Sequence, residues 1–323
     1  MTKKTFKKIV NQFNSKRCVV VGDVMIDEWI WGNVSRISPE APVPVVDVTK
    51  RTFTAGGASN VATNLRTLGA QVSVMGVVGR DEPGRILRRE LKRYKVATHG
   101  LLALDDRPTT QKTRIIAHSQ QVVRADFERR ELLNGSFLRR FIGHLRQDLN
   151  STDLVVISDY GKGVVTDGLL SAVQKMLKDM RIPLVVGPKP EAVPFLREVT
   201  ALTLNQHESS IASGHIIKDK KSLEYAGKTL LRNTGSKAVL ITRGAEGMSL
   251  FRQERQAKHL PAHASQVYDV SGAGDTVLAV FALTLASGFD LTLAMELANL
   301  AAAVVVRKVG TATVEVQEIE EIL

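Results

Sequence analysis

Cysteine occurs once in the 323 residues, aromatic residues make up 5%, and no apolar run is long enough to cross a membrane. The lone thiol, Cys18 in the run CVVVGD, cannot close an intramolecular disulfide, which suits a reducing compartment, so a cytoplasmic protein is expected. The longest apolar stretches, near 277–286 and 300–306, fall short of the roughly 18 residues a span needs and read as buried helices. The basic start MTKKTFKKIV lacks the apolar core of a signal peptide. Its Phe6, Ile9, Val10 and Phe13 recur at helical spacing and predict a surface helix. Histidine offers no metal site, because Pro261 stands between His259 and His263 and breaks a shared helix face.

Charge is in excess: 44 Lys+Arg against 33 Asp+Glu give a formal net charge of +11. The basic residues are scattered as pairs (88–89, 129–130, 139–140, 220–221) with no stacking array of aromatics among them. Neither a nucleic acid nor a membrane is therefore an expected partner. The excess suits solvated helix faces and a strongly anionic small substrate.

Short β-branched runs at 18–23, 72–79, 154–159, 183–187, 201–205 and 237–242 alternate with helical patterns near 57–69, 84–94, 136–149, 167–180, 219–232, 273–287 and 291–307. Such continuously apolar strands are buried on both faces, so the expected class is α/β, a three-layer α/β/α sandwich with a mostly parallel central sheet in a single domain over 1–323. Residues 24–55 and 96–127 break the rhythm with proline and alternating patterns. They are expected to pair outside the main sheet as a small β-strand lid. Ligands of open parallel sheets bind beyond the carboxyl ends of the strands, and here those ends carry Asp23, Asp159, Asn205 and Thr242.

The string DVSGAGDTVLAV, 269–280, places Gly272, Ala273 and Gly274 at the start of an apolar helix. Backbone N–H groups there, with the positive end of the helix dipole, make an anion hole suited to a transferring phosphoryl group. Asp275 in the first turn could accept the proton of an attacking hydroxyl, or simply complement the dipole. In GGASNVATNLRTLGA, 56–70, Gly56 and Gly57 let the backbone approach a sugar and Asn60 can donate and accept.

Taken together, these two motifs resemble those of the ribokinase-like, or PfkB, carbohydrate kinases. The resemblance implies a ribokinase-like fold, ATP as phosphoryl donor and Mg²⁺, with Asp275 as catalytic base. It assigns the nucleotide side to NQHE (Asn205, Gln206, His207, Glu208), to Thr242 and Gly244 of TRGAEG, and to Asn299, with Glu208 acting on Mg²⁺ through water. It also leaves room for a monovalent cation such as K⁺ near Asp269. The run VVGDVMIDEWIWGNVSRISPEAPVPVV, 20–46, with SDYGKG and QQVVRADFE, is similar to the branch that phosphorylates D-glycero-β-D-manno-heptose 7-phosphate at O1 for the lipopolysaccharide core, over roughly 17–315. In that reading Asp23, Asp27 and Asp159 face sugar hydroxyls, while Lys112, Arg114, Arg124, Lys162 and Lys189 are the basic residues nearest the lid and the strand ends, placed for its phosphate.

Two departures stand out. Where that branch reads V-D-P-K, this chain has Gly187 in the aspartate's place. The chain also stops at Leu323, so the C-terminal nucleotidyltransferase domain of many relatives is expected to be absent. Kinases of other sugars or sugar phosphates, and a catalytically weak binding protein, are the alternatives, and a homodimer through the lid is expected.

Overall fold

The computed structural model describes residues 1–323 except 119, 134 and 264–265. In chain order the elements begin with α1 (Lys3–Val10), β1 (Arg17–Gly22), β2 (Val24–Ile37), β3 (Pro44–Gly57), α2 (Ala58–Thr67), β4 (Gln71–Gly79), α3 (Glu82–Arg93) and β5 (Leu101–Leu104). They continue through β6 (Gln111–Ala117), β7 (Gln120–Phe127), α4 (Gly135–Leu149), β8 (Leu154–Ser158), α5 (Asp167–Leu177), β9 (Leu184–Gly187), β10 (Ala201–Asn205) and α6 (Gln206–Ser213). The last are α7 (Lys220–Thr234), β11 (Ala238–Thr242), β12 (Met248–Arg252), β13 (Lys258–Leu260), α8 (Ala273–Ala286), α9 (Leu291–Val305) and α10 (Val316–Glu321).

Nine strands form one sheet in the order β13-β12-β11-β10-β9-β8-β1-β4-β5. All neighbours from β11 to β5 are parallel, and only β12 and β13 run antiparallel at one edge. The parallel strands are buried on both faces, as their Val, Ile and Leu content requires. One apolar core lies under α1, α2, α3, α8 and α9, and a second under α4, α5 and α7, giving three layers. The α1 helix shows its amphipathic pattern directly, with Phe6 and Ile9 fully buried and its lysines outside. Cys18 is buried in the same core, and burial pushes its thiol up, away from reactivity.

A second, four-stranded sheet stands apart in the order β3-β2-β6-β7. It is drawn from both irregular segments: β2 pairs antiparallel with β3, β6 with β7, and β2 joins β6 in parallel. The second segment contributes less than its 96–127 span, because the apolar LLAL of β5 pairs with β4 at the edge of the main sheet. Chain order leaves β1 towards β4 and β5 on one side and returns through β8 on the other, so the switch point lies between β1 and β8. The strands approach closely there, and a Cβ on Gly22 would lie 1.9 Å from the Ser158 carbonyl oxygen.

Candidate active site

Most helix starts in this fold are closed by a side chain. Thr166, Asn205, Asp219 and Asp290 cap α5, α6, α7 and α9. Two helices that flank the switch point differ: α2 begins after Gly57 and α8 after Gly272, both at positive φ and both without a side-chain cap. Among the described residues the N–H groups of Gly272, Gly274 and Asp275 have no acceptor, which leaves donors open towards an anion at the positive end of α8. Ala273 differs from expectation, because its N–H is turned back onto the Val270 carbonyl (3.2 Å).

The two glycine-rich motifs meet in space. Asn60 donates from Nδ2 to Asp275 Oδ2 at 2.9 Å across 215 positions of sequence, and its own Oδ1 accepts from Asn64 at 3.1 Å. Asn60 thus holds the candidate base instead of standing free for a sugar. The other oxygen of Asp275 accepts from the Tyr160 hydroxyl at 2.7 Å, a partner that nothing in the local sequence marks. Burial, with the charge of Asp27 adding, pushes the Asp275 carboxyl up to about 7 against the two hydrogen bonds and Lys189. That value is suited to accepting a proton near neutrality.

A cavity of about 240 Å³ opens beside this carboxylate, lined among others by Asp159, Lys189, Glu208, Thr242, Gly274 and Gly187. Burial lifts the Asp159 carboxyl to about 6, against the N–H groups of Gly161 and Lys189 that it accepts. Glu208 closes a capping box with Asn205, and its remaining oxygen takes Lys189 Nζ at 2.6 Å. Lys189, expected on the substrate phosphate, is instead paired with Glu208, a residue expected on the nucleotide side. Gln206 instead reaches the Ile217 carbonyl (3.3 Å), and His207 and Gly244 face solvent. Asn299 holds the Pro261 carbonyl at 2.8 Å, and Asp269 ties the N–H groups of Ser271 and Gly310 together.

On the other side of Asp275 the arrangement is one of buried acids. Asp27 pairs with Arg114 (2.5 Å), which lies over the Trp29 ring, and accepts from Thr311 at 3.2 Å. A Cβ on Gly56 would strike Asp27 Oδ2 at 2.5 Å, and one on Gly57 the Asp23 carbonyl at 2.5 Å, so both glycines are needed for packing. Asp23 does not line this cavity, because its carboxylate accepts the N–H groups of Tyr160, Lys162 and Val164.

The remaining basic residues converge around two acids. Lys112 lies 3.0 Å from Asp126 and 3.6 Å from Glu128, Lys162 2.7 Å from Glu128, Arg124 2.9 Å from Asp126 and Arg130 2.9 Å from Glu128. Lys112 is the cross-strand partner of Asp27, and Lys162 follows Tyr160 by two residues, so the cluster borders the site from both sides. Four cations against two carboxylates leave two positive charges, equal and opposite to those of a phosphate monoester dianion. The acids and Arg130 are what sequence reading missed.

A buried carboxylate in the first turn of an uncapped helix, open amides beside it and a second sheet standing apart from the first form the arrangement expected of a sugar kinase. The chain belongs to the pfkB family of carbohydrate kinases, whose description matches residues 15–318. It is 46% identical over 311 residues, 96% of its length, to the bifunctional protein HldE of Desulfatibacillum aliphaticivorans, and 43% identical over 319 residues, 99% of its length, to that of Geobacter metallireducens. It spans 64% and 65% of those two relatives. Among solved structures, Escherichia coli phosphofructokinase-2 in complex with potassium superposes with a TM-score of 0.79 at 18% identity, covering 95% of this chain and 97% of that one. Arabidopsis thaliana ribokinase complexed with ribose and ATP gives 0.74 at 19%, covering 95% and 98%. The fold is ribokinase-like. No helix among the described residues is long and apolar enough to cross a membrane.

Proposed function

We propose that this chain transfers the γ-phosphoryl group of ATP to D-glycero-β-D-manno-heptose 7-phosphate at O1. The observation that carries the reading is Asp275, held by Asn60 at the start of a helix whose first amides are open. Asp275 takes the proton of the acceptor hydroxyl as its oxygen attacks the γ-phosphorus and the bond to the β-phosphate oxygen breaks. The amides of Gly272 and Gly274 stabilise the charge that builds on the transferring group. The carboxylates of Asp159 and Glu208 beside the cavity fit a Mg²⁺ held largely through its waters. Bound there, it would neutralise charge on the phosphates. The heptose assignment is supported by the likeness of residues 20–46 to that branch and by the HldE relatives. The four-stranded sheet serves as the lid. Its edge strand β7, exposed along its length, suits pairing with a second copy.

An ADP-release assay with ATP, Mg²⁺ and a panel of sugars and sugar phosphates tests the reading. The heptose 7-phosphate is expected to give the highest kcat/KM. No release with any sugar by protein that binds ATP would overturn it. Lys162→Ala is expected to raise KM for the phosphorylated acceptor about 10- to 100-fold, the worth of a charge-assisted hydrogen bond, and to leave an unphosphorylated analogue unaffected.

Gly187 lines the cavity with an ordinary φ, and a Cβ there would meet Leu278 Cδ2 at 3.0 Å, Thr203 Oγ1 at 3.5 Å and the Ile157 carbonyl at 3.9 Å, so a shift of a few tenths of an ångström in the Leu278 side chain makes room for it. Gly187→Asp is therefore expected to fold. It sets a further carboxylate near Asp159 and Glu208, and should lower the Mg²⁺ concentration for half-maximal activity. A Mg²⁺ titration reads this directly, and an unchanged midpoint would mean the added group plays no part.

A further inference from the structure

We propose that Tyr160 is a positioning residue for the proton acceptor. Its hydroxyl fixes one oxygen of Asp275 while Asn60 fixes the other, so the carboxylate has a single orientation before the acceptor sugar arrives. The inference rests on Asp275 being the base, and deepens that reading.

The first argument is geometric. Tyr160 donates at 2.7 Å to Oδ1 from the loop after β8, and Asn60 at 2.9 Å to Oδ2 from α2. With both oxygens held, χ2 of Asp275 cannot rotate freely, and the lone pair left for a substrate hydroxyl points one way. The second argument concerns what holds Tyr160. Its backbone N–H donates to Asp23 (2.8 Å), as do those of Lys162 (3.0 Å) and Val164 (3.1 Å). Asp159 takes the N–H groups of Gly161 (2.8 Å) and Lys189 (3.0 Å). Two carboxylates, 1% and 6% exposed, are thus buried under one short loop. Burying carboxylates is costly, and hydrophobic residues would pack a loop at less expense in free energy. Placement of what the loop carries accounts for them, and the loop's one side chain on Asp275 is Tyr160. Lys189 Nζ lies 5.5 Å from the centre of the Tyr160 ring, over its face, a cation–π contact that adds to the hold on the ring.

Tyr160 also bears on when Asp275 is charged. A phenol donates to the carboxylate and not to the neutral acid's proton, so it favours the charged form against burial and against Asp27. Lys189 acts in the same direction, while Asp159 and Glu208 share the cavity and oppose it. The phenol itself stays protonated, because burial and the charge of Asp275 raise it well above its ordinary value.

The test is Tyr160→Phe, which keeps the ring and its contacts with Lys189. The expected result is a fall in kcat of about 10- to 100-fold with KM for ATP within twofold. The acidic limb of the kcat/KM profile should move to higher pH, by about one unit for each tenfold change in carboxylate ionisation. In an Asp275→Asn background the same substitution should cost nothing further. An unmoved acidic limb, a loss confined to KM for ATP, or a full additive loss in the double variant would each overturn the proposal. If Asp275→Asn alone turns over normally, the base assignment itself fails, and that outcome is read separately from the other three.

Discussion

Asp275→Asn is expected to lower kcat by at least about 100-fold while leaving ATP affinity nearly unchanged, the size of a general-base contribution. Asparagine fills the same volume and can still accept from one of Tyr160 or Asn60, so binding and fold persist while proton acceptance is lost. The same substitution should stabilise the protein. Burial raises the Asp275 carboxyl from 3.8 to about 7, so the folded state holds a proton that the unfolded chain has already released. Stability from this group is complete below about pH 4 and is lost as the pH rises through about 7. A shift of that size corresponds to about 4 kcal/mol at most, and the variant should recover part of it. Urea unfolding at pH 8 and at pH 4 separates the two states. The variant's midpoint should exceed the parent's at pH 8 and match it at pH 4. Equal midpoints at pH 8 would mean that Asp275 is charged in the native state without penalty.

The stability cost and the catalytic gain come from one physical cause, and it explains why the site was partly legible in sequence. Glycines at 272 and 274 and the acid at 275 are local signals, since an uncapped helix start needs small residues within a few positions of one another. Asn60 was legible for the same reason, at the start of α2. Their contact was not, because it spans 215 positions and depends on β1, β4 and β8 bringing two helix starts together. Tyr160 lies in SDYGKG, a stretch marked only by resemblance, and nothing in it marked the hydroxyl as a partner of Asp275. Among the basic residues, Lys112, Arg124 and Lys162 do converge, but Lys189 goes to Glu208, while its backbone N–H is held by Asp159.

The main parallel strands β1, β4 and β8 to β11 were legible to within a residue or two, since burial on both faces imposes continuous Val, Ile and Leu. The edge was not. β5 has four residues, and β13 three of only intermediate burial, too short for periodicity to register. β12 follows a glycine turn that reads equally as hairpin or pocket wall. It is a hairpin, and Thr242 at its start lines the cavity as well.

Gly272→Ala is expected to cost more activity than any other single methyl in the motif, with kcat down by at least about 100-fold. Two effects combine. Gly272 sits at φ 78, where an L side chain is strained by about 1 kcal/mol. The added Cβ would also lie 2.7 Å from Asn60 Nδ2, well inside contact distance, with Thr311 3.3 Å away on the other side. Asn60 cannot yield without releasing Asp275, since the same nitrogen holds the carboxylate. Thr311 cannot yield freely either, because it is bonded to Asp27 and Thr54. The strain therefore falls on the base. Gly274→Ala provides the contrast, because a Cβ there meets nothing within 4 Å, its φ is ordinary, and the residue lines the cavity. That variant should fold as the parent does and raise KM for ATP, by crowding the space a phosphate would take. Steady-state kinetics on the pair distinguishes the two routes, since the first should appear in kcat and the second in KM. The reverse pattern would place the transferring group elsewhere than above the start of α8.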